Sequence, residues 1–195
     1  MKKKQKTRIV SIAISIIILF IIILIGVIIF CTNDNEDPLN SVEHDIKLVT
    51  ELYPTRFVIY GSEIDFSSSI SVEYIDEICD DNLVMGKDYE YTMIIINDLD
   101  NNVNLSDDDW KLVYGYVEND DRYNLMYLGD SDFEQIGRLG ILSDITAFDD
   151  GDLSVGIVHE AGQLISVFGT YVTGAGYSLS EALIREQAYS IEQSN

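Results

Sequence analysis

Carboxylates are the side chains through which this sequence could do chemistry. Glu63 follows the apolar run RFVIYG (56–61), while Asp98 and Asp100 stand at or just beyond the end of YTMIIIND (91–98). Asp130 and Asp132 stand likewise at the end of YNLMYLGD (123–130). Carboxylate oxygens converging from several loops suit a hard cation such as Ca²⁺ or Mg²⁺. The expected ligand or cation-binding set is therefore Glu63, Asp98, Asp100 and Asp130. A metal held by Asp98 and Asp130 would activate water, with His159 as a helper, and the chain would be a metal-dependent hydrolase. The loop DLDNNVNLSDDD also has an EF-hand-like rhythm at Asp98, Asp100, Asn102, Asn104 and Asp109. It matches poorly, because Val103 stands where the sharp turn needs glycine and a strand precedes the loop.

The densest acidic stretch, LSDDDWKLVYGYVEND (105–120), has a purely structural reading. Ser106 is placed as an N-cap, and Asp109 lies at capping-box spacing with Asp in the role of Glu. Leu105 and Trp110 form a hydrophobic-staple pair across that cap. Asp107, Asp108 and Asp109 fill a first turn, where the helix dipole favours negative charge. Trp110, Val113, Tyr114 and Val117 then recur at the spacing of a core-facing stripe. Capping accounts for the whole triplet.

No nucleophile–base pair is visible. Cys31 follows a long apolar run, and the bulky Phe30 before it argues against lipidation. Cys79 lies in VEYIDEICDDNLV; read as a helix, that stretch puts Val72, Ile75 and Cys79 on one core face. Ser131 has Glu134 at capping-box spacing and reads as an N-cap. His44 falls in a polar segment, and His159–Glu160 falls at the turn of an expected hairpin.

The elements that would position these groups follow from hydrophobic patterning. Residues 1–8 form a basic tail, and Ile9 to Cys31 carry no charge. As a helix that run reaches roughly 35 Å at about 1.5 Å per residue, enough to cross a bilayer core of about 30 Å. It reads as an uncleaved transmembrane anchor, with the basic side cytoplasmic. Residues 32–52 read as an acidic tether with a short helix from Ser41, and 53–195 as an extracytoplasmic domain. All 34 acidic residues lie beyond Cys31, beside only seven of the 12 Lys and Arg. So negative a domain does not attract nucleic acid, though a basic partner or an envelope protein would suit it.

Within the domain, apolar runs alternate with helical spacing, including a helix expected over SVEYIDEICDDNLV (71–84). Alternation of this kind implies parallel strands joined by right-handed crossovers. LSVGIVH and LISVFGTYV around EAGQ read as an antiparallel hairpin over about 153–172. Ser178 and Glu181 form a capping box for a C-terminal helix. The expected fold is α/β: a three-layer sandwich with a mainly parallel sheet and a C-terminal antiparallel hairpin, preceded by one transmembrane helix.

The stretch YEYTMIIINDLD…LSDDDWKLVYGYVENDDRYNLMYLGD (89–130) resembles the strand–helix–strand unit of the class I glutamine amidotransferase-like superfamily. By that resemblance RFVIYGSEID and the helix expected after it form the first βα unit. Catalytic members carry a cysteine at the turn after the strand matching YNLMYLGD, with a histidine and a carboxylate downstream. Here that turn reads Gly129, Asp130 and Ser131, so the resemblance implies a non-catalytic relative. The leading expectation is a membrane-anchored binding or interaction module without catalysis. The metal-dependent hydrolase is the alternative, and a structural subunit packing through its span is a third reading. Gly26 stands alone in that span, without the small-xxx-small pairing that specific helix packing uses.

Overall fold

The computed structural model describes residues 38–129, 131–142, 154–160, 162–169 and 177–194. Among them no helix is long and apolar enough to cross a membrane. The expected anchor and its basic flank lie outside the described residues, as does Asp130.

Among the described residues six strands form one mixed sheet. They are β1 (Thr55–Gly61), β2 (Ser71–Ile75), β3 (Tyr91–Asn97), β4 (Tyr123–Leu128), β5 (Ser154–Glu160) and β6 (Gln163–Gly169), in the order β2-β1-β3-β4-β5-β6. The first four run parallel, while β4–β5 and β5–β6 are antiparallel. The helices are α1 (Pro38–Lys47), continued by a π-helical turn at Leu48–Leu52, then α2 (Asp80–Leu83), α3 (Asp107–Asn119), α4 (Phe133–Arg138) and α5 (Leu179–Ser194).

The continuous apolar runs of the sequence become strands buried on both faces, as parallel strands under helices must be. Side chains alternate along each strand, so two cores result. On one face Val58, Ile94, Ile96, Leu125 and Tyr127 pack with Leu83, Trp110, Val113, Val117 and Ile136 from α2, α3 and α4. On the other, Phe57, Ile59, Met93, Ile95, Met126 and Leu128 pack with Leu48 and Val49, and with Leu183, Ile184, Ala188 and Ile191 of α5. The segment expected to be a tether thus joins the folded unit at Leu48 and Val49, which are 4% and 1% exposed.

The helix expected over 71–84 is not formed. Ser71–Ile75 is instead the outer strand of the sheet, pairing in parallel with β1, and only the four residues of α2 are helical. Val72, Tyr74 and Ile75 suit a strand as readily as a helix, and pairing with β1 decides between them. The strand also brings Glu73 to Arg56. That guanidinium, only 6% exposed, donates to Glu73 Oε2 at 2.9 Å and to the Asn82 and Val84 carbonyls at 2.7 and 2.9 Å. Cys79 accordingly occupies the N-cap position of α2 and is half-buried, while Ile75 and Ile78 enter the core. No helix follows β1 directly, so the first βα unit implied by the resemblance is a strand–loop–strand.

Candidate functional site

The carboxyl ends of the parallel strands, where open α/β sheets hold ligands, are knitted by hydrogen bonds around Asp98. This residue is fully buried and lies just past β3. Asp98 Oδ1 accepts the Val103 N–H at 2.7 Å. Asp98 Oδ2 accepts the Tyr127 hydroxyl at 3.3 Å and the Ser131 hydroxyl in a short hydrogen bond. Tyr127 Oη in turn accepts the Asp132 N–H at 3.0 Å. Burial is the largest influence on that phenol and pushes it up to about 12.

Gly129, between β4 and this turn, has φ +138, and a Cβ there would lie 3.0 Å from both the Asp98 carbonyl oxygen and Tyr127 Oη. Only glycine permits the backbone to come so close with that φ. Ser131 does not cap α4, as its spacing to Glu134 suggested. The cap position belongs to Asp132, which makes no side-chain capping bond, and Ser131 turns to Asp98 instead.

Burial, and after it the Asp98 charge, raise the Asp132 carboxyl above its ordinary range. The Trp110 indole N–H opposes this from nearby. It falls short of hydrogen-bond geometry, so Trp110 Nε1 and Asp132 Oδ2 are both buried without a hydrogen-bond partner. Two carboxylates thus share one polar pocket in which Asp98 takes the donors and Asp132 takes the electrostatic cost.

The other sequence-predicted carboxylates are more open. Asp100 is exposed and accepts the Ser62 hydroxyl at 2.8 Å. Glu63 is exposed and lines a cavity of about 570 Å³ under the 62–70 loop, beside Asp65, Phe66 and Tyr74. Asn102 donates to Ser62 Oγ at 3.3 Å, and Asp109 closes the α3 capping box with Ser106. The loop with the EF-hand rhythm therefore spends its polar side chains on its own backbone and neighbours. Among the described residues no group of three or more His, Cys, Asp or Glu could hold a metal ion.

Both histidines stand far from Ser131. Leu128 pairs with Ser154 and Leu125 with Ile157, so His159 lies toward the amino end of β4. Five residues of strand separate His159 from Ser154, about 17 Å. His159 is 8% exposed; its Nε2 donates to the Val117 carbonyl at 2.8 Å, and its N–H donates to Asn124 Oδ1 at 3.1 Å. It cannot help a carboxylate at the opposite end of the strand, and the role expected for it as helper to Asp98 is withdrawn. His44 is exposed and meets Glu192 at 3.2 Å, on the same helix as the serines that donate to the His159 carbonyl.

The sequence reading missed a second concavity, at the amino edge of the parallel strands. It encloses about 450 Å³ between the 84–89 loop and the end of α3. Its walls include Val84, Lys87, Tyr89, Tyr116 and Tyr123, with the Asp120–Arg122 pair. Arg122 Nε donates to Asp120 Oδ1 at 2.8 Å and Arg122 Nη2 to Asp120 Oδ2 at 2.6 Å, a planar two-point pairing. Arg122 leads the causes that hold Asp120 below its ordinary range. The sequence signal was present in KDYEY (87–91) and NDDRY (119–123), where tyrosines interleave with mixed charges.

No family model, no curated protein and no solved structure matches this chain.

Proposed function

We propose that this chain is a single-pass membrane protein whose extracytoplasmic α/β domain is a non-catalytic binding module, related to the class I glutamine amidotransferase-like superfamily. The anchor is the uncharged run from Ile9 to Cys31, with basic residues on its cytoplasmic side. One observation carries the reading. At the turn where that superfamily keeps its nucleophile, the Ser131 hydroxyl is donated to the buried Asp98 carboxylate, and His159 lies at the far end of the sheet. Serine nucleophiles need a base that can take their proton, held in turn by a third group. Asp98 already accepts from Val103 and Tyr127 as well, so it works as an anchor for the turn. The same occupancy speaks against a catalytic cation on Asp98, the reading that would make the chain a hydrolase.

The full chain in lipid nanodiscs tests this directly. A fluorophosphonate probe should leave Ser131 unlabelled. Ester and γ-glutamyl amide substrates should show no turnover with or without millimolar Mg²⁺, Ca²⁺ or Mn²⁺. Labelling that disappears in Ser131→Ala, or metal-dependent turnover that disappears in Asp98→Asn, would overturn the non-catalytic reading. For the location, trypsin added to right-side-out membrane vesicles should digest the domain, and inside-out vesicles should protect it. The reverse pattern defeats the extracytoplasmic placement.

A further inference from the structure

We infer that the cleft between the 84–89 loop and the end of α3 is a binding site for a neutral saccharide. The inference rests on the binding-module reading and names its ligand class. Three kinds of group meet there. Tyr89 and Tyr116 are half-buried in the lining, and the Tyr116 ring packs against the buried Tyr123 with centroids 5.1 Å apart. Val84 in the lining is 55% exposed, equal to the highest value among the large exposed hydrophobics of the described residues. Flat aromatic faces beside an exposed apolar rim match the C–H faces of a pyranose ring, which are apolar although its edges are polar.

The Asp120–Arg122 pair supplies the edge recognition. Its two internal hydrogen bonds fix the carboxylate and guanidinium in one plane. Asp120 Oδ1 also accepts the Arg122 backbone N–H at 3.1 Å, so Oδ2 keeps a lone pair that accepts, beside the remaining Arg122 N–H groups that donate. Two adjacent hydroxyls of a sugar, one donating and one accepting, complement that arrangement. Exposed Lys87, also in the lining, adds donors. A cavity of about 450 Å³ lies within the usual range for small-ligand sites and is large enough for one or two sugar rings.

Charge selects the neutral class. The chain beyond Cys31 holds all 34 acidic residues against seven basic ones, so an anionic glycan is repelled at long range. Locally, Arg122 is neutralised by Asp120 and Arg56 by Glu73, which leaves Lys87 as the cation of the lining, set against the strong negative charge of the chain around it. Hydroxyl recognition by a pre-paired plate needs no net charge.

The test is saturation-transfer difference NMR on the full chain in nanodiscs, without glycoside detergents that would compete. The probes are cellotetraose, chitotetraose and, as an acidic control, tetragalacturonic acid. At least one neutral tetramer should bind with a Kd in the micromolar to low millimolar range, and the acidic one should bind at least tenfold more weakly. Asp120→Asn is isosteric and Tyr89→Leu removes the aromatic face together with the hydroxyl that meets Ser71 Oγ; both should keep the wild-type circular dichroism, and each should weaken binding at least tenfold. Absence of signal from both neutral tetramers, stronger binding of the acidic one, or undiminished binding in both folded variants would overturn the proposal. Absence of binding leaves the non-catalytic reading standing, whereas cleavage of a bound tetramer would defeat that reading and leave the saccharide assignment in place.

Discussion

Asp98 shows how one buried side chain can look catalytic and be architectural. Its carboxylate closes the 98–103 loop through the Val103 N–H and holds the turn after β4 through Tyr127 and Ser131. Asp98→Ala leaves three donors without their acceptor in a site with no exposure, so it should cost about 3–5 kcal/mol in urea unfolding. Ser131→Ala removes one donor from the same centre and should cost about 1 kcal/mol. A larger loss from Ser131→Ala would contradict the role assigned to Asp98.

Two further aspartates should respond to acid with opposite signs. The Arg138 and Gln135 hydrogen bonds lower the half-exposed Asp107 to about 2. Its contribution to stability is present above the ordinary carboxylate range and is lost as the pH falls from about 4 toward about 2. Asp132 is raised by burial and the Asp98 charge, so its ionised form destabilises the fold above its folded pKa, and acid relieves that cost. Asp132→Asn should therefore melt higher than wild type at pH 7, and the difference should shrink as the pH approaches 4. Asp107→Asn should melt lower at pH 7 and converge with wild type near pH 2.

At the scale of elements, what was legible in the sequence is what local forces decide. The α3 cap was readable because it is closed within four residues: Ser106 N–H donates to Asp109 Oδ2 at 2.9 Å, and Asp109 N–H donates to Ser106 Oγ at 3.2 Å. The Ser178–Glu181 box before α5 was readable for the same reason. β2 was misread because its partner lies elsewhere in the chain; the spacing of Val72, Ile75 and Cys79 could not report that Ser71 pairs with Arg56. Strand identity at a sheet edge is a tertiary decision. The helices also contain one unforced weakness. Gly115 lies inside α3, and an added Cβ there would meet nothing within 4 Å. Gly115→Ala should stabilise the protein by about 0.5–1 kcal/mol, because alanine loses less backbone entropy in a helix. A lower thermal midpoint in that variant would mean that α3 meets something at Gly115 that the fold described here lacks.

At the scale of the whole molecule, charge and position govern. The expected cation-binding set was chosen because acidic residues recur at strand ends, yet a chain this acidic places carboxylates in most of its loops. Spacing could not distinguish the buried hub Asp98 from the solvated Asp100 and Glu63, since burial depends on the sheet as a whole. The amino-edge cleft escaped for a related reason: Lys87–Tyr91 and Asn119–Tyr123 are remote in sequence and meet only because β3 and β4 are neighbours. The excess of acidic over basic residues repels itself in the compact state and less so in the expanded one. Among the described residues few ion pairs offset it, and those at Asp107 and Asp108 are open to solvent, where such pairs contribute little. Salt should therefore stabilise this fold, because screening relieves the repulsion more than it weakens those pairs. Raising NaCl from about 10 mM to 500 mM shortens the Debye length from about 30 Å to a few ångströms. The thermal midpoint should rise by several degrees over that range, and by a similar amount with KCl. A midpoint that falls with salt would mean that the ion pairs outweigh the self-repulsion, and the account of the acidic surface as an electrostatic burden on folding would fail.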